Sequence, residues 1–91
     1  MEITIVETTV GEVDGIRVGV ANVWAEDYDL DDGTPQHGPR ATLAVMGSTP
    51  ETDFDVRVHP GQVVRIGTVD VEVISIHEPE DAPGSVTLVQ G

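Results

Sequence analysis

A chain of 91 residues has room for one domain and a modest core, because a chain this short buries only about 60–65% of the surface it exposes when unfolded. Seventeen acids face four arginines and no lysine, a formal charge of −13 that repels phosphate backbones and anionic membranes, so no nucleic acid and no membrane is expected among the partners. Cysteine is absent, which excludes disulfides and thiolate metal sites, and no apolar run approaches the ~20 residues that span a bilayer.

The amino terminus, MEITIVETTV, has neither a basic region nor a long hydrophobic run, so it does not read as a secretory signal. The expectation is a soluble cytoplasmic protein with residues 1–91 as a single domain. Valine is by far the commonest apolar residue, and the only aromatics are Trp24, Tyr28 and Phe54, a composition that favours strands over helices.

In chain order, residues 2–10 predict a first strand with Ile3 and Ile5 on one face and Thr4 and Val6 on the other. GEVDG, residues 11–15, predicts a turn. Residues 16–25 predict a second strand. Val18, Val20, Asn22 and Trp24 share one parity, which places Trp24 with the core, while Arg17, Gly19, Ala21 and Val23 share the other. Glycine at position 19 suggests a close backbone approach or a bulge. Residues 26–39, EDYDLDDGTPQHGP, hold five acids, two glycines, two prolines and His37, and read as one long irregular acidic loop. Residues 40–46 predict a third strand, residues 47–53 a polar turn, and residues 54–58 a fourth strand with Phe54, Val56 and Val58 inward.

Residues 59–76, HPGQVVRIGTVDVEVISI, predict a tight turn followed by a β-hairpin. Glycine at the first turn position, Gly67, suits a type II′ turn with Thr68 second. That turn pairs Ile66 with Val69, Arg65 with Asp70, Val64 with Val71 and Val63 with Glu72. Ile66, Val64, Val69 and Val71 then share a face, and Arg65 meets Asp70 across the strands on the other. Ile74 and Ile76 fall out of step with Val69, Val71 and Val73, which predicts a bulge near residues 73–74. A second acidic loop, residues 78–84, precedes a last strand at residues 85–90. About seven short strands separated by Gly/Pro/Asp turns predict an all-β fold, a small antiparallel sandwich or partly open barrel.

Four groups of residues invite a chemical reading. Asp27, Asp29, Asp31 and Asp32 before Gly33 match in part the opening of a calcium loop, but the glycine falls one position late and Gly38 stands where the closing glutamate belongs. His59 and His77 flank the predicted hairpin at one end with Glu78 beside them, a combination of zinc-ligand types. Ser48, Ser75 and Ser85 lack a G-x-S-x-G context, so no catalytic residue is assigned. Trp24 and Tyr28 stand where the second strand runs into the acidic loop, and Tyr28 is the better surface anchor of the two.

The segment from His59 to Val89 resembles the central β-ribbon of the carbon-storage-regulator family of RNA-binding proteins. The shared features are Pro60–Gly61, Ile66–Gly67, the alternating Val69, Val71 and Val73, and the closing Val86-Thr87-Leu88. The resemblance covers about a third of the chain and implies the order strand, turn, strand, loop, strand. The family holds RNA with basic residues, whereas this stretch is acidic, so RNA binding does not carry over.

The function these observations predict is a small, acidic, non-enzymatic binding or accessory module, immunity- or inhibitor-like. It recognises another protein, one of basic character, through Trp24, Tyr28 and the acids Asp27, Asp29, Asp31 and Asp32. No cofactor is expected. The alternative is a calcium- or zinc-binding β-domain that uses residues 27–32 or the end carrying His59, His77 and Glu78. A homo-oligomer through an edge strand is a further expectation, with the first strand as the candidate.

Overall fold

The structure is a computed structural model that describes residues 2–30, 32–47, 53–79 and 83–90. Eight strands follow one another: β1 (Glu2–Val6), β2 (Val10–Val13), β3 (Ile16–Asp29), β4 (Pro35–Met46), β5 (Phe54–Val58), β6 (Val63–Ile66), β7 (Val69–His77) and β8 (Ser85–Gln90). One sheet has the order β1-β8-β7-β6 and the other β2-β3-β4-β5, with antiparallel pairing throughout. Within the sheets, β2 to β5 and β6 to β8 lie side by side in sequence order, and β1 pairs with β8. The fold is a meander wrapped into two sheets, parted along the seams β1/β2 and β5/β6. Among the described residues no helix is long and apolar enough to cross a membrane.

The core lies between the sheets and is aliphatic. Ile5, Val18, Leu43, Val58, Ile66, Val71, Val73, Val86 and Leu88 are its largest fully buried side chains. Burying such a side chain is worth about 1.5–3 kcal/mol, so their sum is the main force closing the sandwich. The predicted hairpin register is the observed one, from Ile66↔Val69 to Val63↔Glu72. Gly67 has a φ of 63° while Thr68 stays out of the positive region, as a type II′ turn requires. Strand β8 lies antiparallel beside β7, in the strand order that the family resemblance implies. The bulge in β7 falls between Val73 and Ser75; it returns Ile76 to the core and leaves Ile74 41% exposed.

The first predicted strand is two strands. Chain direction changes at residues 7–9, where Thr8 takes a φ of 69° and its N–H donates to the Val20 carbonyl. Residues 10–13 then enter the second sheet, and only Asp14 and Gly15 form the turn, both at positive φ. The close approach expected at Gly19 occurs instead at Gly11, where a Cβ would lie 2.8 Å from Ile5 Cγ1.

Two polar clips join the sheets. The Glu7 carboxylate accepts the N–H groups of Val23 (3.1 Å) and Gly84 (3.3 Å), so one side chain ties β3 to the approach of β8. Asp14 accepts both the N–H (3.2 Å) and the hydroxyl (2.8 Å) of Thr68, latching the β2–β3 turn onto the β6–β7 turn. Those bonds hold the Asp14 carboxyl below the usual carboxylate range, the Thr68 hydroxyl foremost.

The largest departure from the sequence reading lies at residues 26–39. They form the outer half of a long hairpin, paired from Trp24↔Arg40 to Asp29↔Pro35, with a turn in which Gly33 takes a φ of 85°. Counting acids, glycines and prolines made this stretch look irregular. Gly33 sits in the turn, however, while Gly38 and both prolines lie in one strand of a two-stranded ribbon, where a missing N–H is tolerated.

Candidate functional site

The register of the β3–β4 pair shifts between Ala21↔Thr42 and Trp24↔Arg40. Strand β3 advances three residues while β4 advances two, so β3 holds one extra residue. Asn22 takes the unusual backbone angle, φ 54°, which asparagine adopts more readily than a branched residue. The extra residue inverts the alternation. Val18 and Val20 face the core, yet Trp24, Glu26 and Tyr28 face out on the same side as Arg40 and Thr42. Val23 turns inward and packs against Gly84. The sequence reading that placed Trp24 in the core is thereby corrected: Trp24 is 48% exposed. Tyr28, expected to be the more exposed aromatic, is only half-buried.

On this outer face six side chains form a continuous row. Arg57, projecting from β5, sets its guanidinium 4.7 Å from the centre of the Trp24 ring. Its Nε donates to Glu26 Oε1 at 2.7 Å, and its Nη1 donates to the Asn22 carbonyl exposed by the bulge and to Thr42 Oγ1. Arg40 lies 4.8 Å from the centre of the Tyr28 ring, reaches Glu26 at 3.7 Å, and donates to the Arg57 carbonyl. Tyr28 stacks on His59, with centroids 4.9 Å apart and planes 20° from parallel. The Arg40 and Arg57 side chains are 19% and 23% exposed, so the row is a small polar-aromatic core laid on the outside of the sheet. Arg40 Nε and Arg57 Nη2 are buried with no acceptor among the described residues, and the π faces are what these cations have in exchange.

The electrostatics follow from that geometry. Glu26 is held below the usual glutamate range by the Arg57 hydrogen bond first, with burial opposing and the Arg57 charge, Trp24 and Arg40 assisting. The Glu26 carboxylate is engaged by both arginines. It neutralises and aims them, so that Arg57 lies over the indole of Trp24 and Arg40 over the ring of Tyr28.

Beyond the row, Asp27 and His37 face each other across the ribbon at 2.7 Å, both well exposed. Asp29 is exposed too, and Asp32 accepts the Thr34 N–H, which closes the turn; the Thr34 hydroxyl first and this N–H second hold the Asp32 carboxyl below its usual range. Asp31 and Ser48 lie outside the described residues. Among the described aspartates of the set, Asp27 and Asp29 share a ribbon face while Asp32 serves the turn, so these three do not converge on one point. Among the described residues no group of three or more His, Cys, Asp or Glu could hold a metal ion. His59 is turned to Tyr28, with its Nδ1 2.9 Å from the Pro60 carbonyl, whereas His77 ends β7 in the other sheet opposite Ser85.

Sequence reasoning missed Glu26 as the hub, Arg40 and Arg57 as its partners, and Glu7 as the clip. One signal was present: Asn22, a polar residue in an otherwise inward apolar series. No protein-family model matches the chain, and no curated protein or solved structure matches it either.

Proposed function

We propose that the chain is a non-enzymatic binding module that docks another protein, one of basic character, on the outer half of the β3–β4 hairpin. The observation that carries the reading is Trp24. A bulge turns it away from the core, and Arg57 and Glu26 hold it in place while it remains 48% exposed. An aromatic fixed in advance loses little freedom on binding, which is what makes such residues strong anchors. On the opposite face of the same ribbon Asp27 and Asp29 are exposed, in a chain of charge −13, so the field favours a cationic partner and hastens its approach.

Trp24 is the only tryptophan, so its fluorescence reports on the site alone. Titration with small basic proteins at low salt is expected to shift the emission of Trp24, with affinity falling as salt is raised. Unchanged emission in the presence of every basic protein tried, together with no salt-sensitive retention on a column of them, sinks the reading.

A further inference from the structure

Strand β3 is flanked on one side by β4 along most of its length and on the other by β2 only as far as Val10↔Gly19. Past that point the lane is closed by the Thr8 N–H at the Val20 carbonyl and by Glu7 at the Val23 N–H. From Trp24 to Asp29 no described strand lies beside it, a free edge of about 20 Å at 3.3 Å per residue.

The prolines of β4 determine which backbone groups point into that lane. Pro39 pairs with Ala25 and Pro35 with Asp29, and proline has no N–H to give. These pairs, and Asp27↔His37 between them, are the non-hydrogen-bonded pairs of the ladder. The N–H and C=O groups of Ala25, Asp27 and Asp29 therefore face away from β4, as the Val23 N–H does when it reaches Glu7. The opposite edge of the ribbon carries the prolines and is blunted by them.

We propose that this edge takes up an extended, basic segment of a partner protein as an added strand. The proposal rests on the docking function put forward above and specifies its form. Asp27 and Asp29 share one face of the ribbon, so the segment carries Lys or Arg at two positions spaced i, i+2. The residues between them fall on the other face, beside Tyr28, Glu26 and Trp24, where an apolar side chain meets the indole. A second copy of this chain is the wrong occupant, because pairing arm to arm brings the aspartates of one copy against those of the other. Main-chain bonds then supply affinity and the charge spacing supplies specificity.

The probe is a short blocked peptide alternating lysine and valine, compared with the same peptide N-methylated at alternate residues so that one edge cannot hydrogen-bond. The alternating peptide is expected to shift Trp24 emission and to slow amide exchange at Ala25, Asp27 and Asp29. The edge-methylated form is expected to bind at least about tenfold more weakly. Equal binding of both peptides overturns strand addition while leaving charge-driven docking standing. Binding of neither overturns both. Slow exchange of those three amides in the protein alone, growing with its concentration, assigns the edge to a second copy and overturns the proposal.

Discussion

The two hairpins β6–β7 and β3–β4 each contain a bulge, and the bulges have opposite consequences. In β7 the extra residue is itself apolar, and its insertion lets Ile76 rejoin the core at the cost of exposing Ile74. In β3 the inserted residue lies ahead of an aromatic, and the insertion carries Trp24 out of the core series altogether. One device thus serves packing in one hairpin and display in the other. The first hairpin holds the sandwich together. The second extends past it, where neither ribbon face is covered by the opposing sheet and where acids, arginines and aromatics replace the valines.

Substitutions sharpen this contrast, beginning with the core. Ile66→Ala removes a fully buried side chain and is expected to cost about 2–5 kcal/mol, measured as a lower midpoint in urea. Glu7→Ala strips the acceptor from two backbone N–H groups where β1 turns toward the second sheet, and a loss of about 1–3 kcal/mol should appear in the same measurement. Asn22→Val forces a branched residue to φ 54° and should cost about 1–2 kcal/mol, whereas Asn22→Gly should be neutral or better; equal losses for both would mean the bulge backbone is not what Asn22 supports.

Acid should weaken both hairpins, and for a definite reason. Glu26 and Asp14 are held below their ordinary range, so their contribution is complete above about pH 4.5 and fades as pH falls through the lowered values. Melting temperatures recorded from pH 7 downward should drop more steeply for the native chain than for Glu26→Gln combined with Asp14→Asn. The smallest stability change belongs to Trp24→Ala, at most about 1 kcal/mol, because half of the ring is already in water. The same variant should lose most of its affinity for a basic partner. A large stability loss there would make Trp24 a structural residue and erase the difference between the two hairpins.

Where side-chain alternation and turn chemistry spoke together, the fold was legible residue by residue. Gly67, the Arg65/Asp70 pair and the out-of-step isoleucines gave the β6–β7 register and its bulge from local pattern alone. In β3 the same logic failed because Val18, Val20 and Trp24 alternate without a break. An insertion that exposes an apolar residue leaves no break in the pattern, apart from Asn22 in the inward series. The arm was hidden by composition. A ribbon exposed on both faces needs no apolar period, so its strands resemble a loop. The row built on Glu26 was beyond reach for another reason: Arg57 comes from β5, and only the three-strand register brings it over Trp24.

The pairing of β1 with β8 governs the order in which the chain can fold during synthesis. Strands β2 to β7 each have a partner close by in sequence, available as soon as it is made, apart from the seam between β5 and β6. Strand β1 does not. Its hydrogen-bonding partner is the last strand, so the first strand to emerge is the last to be zipped in, an arrangement of high contact order at a single point. Until then β1 presents an unpaired, β-branched edge, and loss of β8 would leave β1 without its partner and β7 with β6 alone. Slow final closure, and sensitivity to anything that competes for β1 in the interval, are built into a sheet whose first strand is seated only by its last.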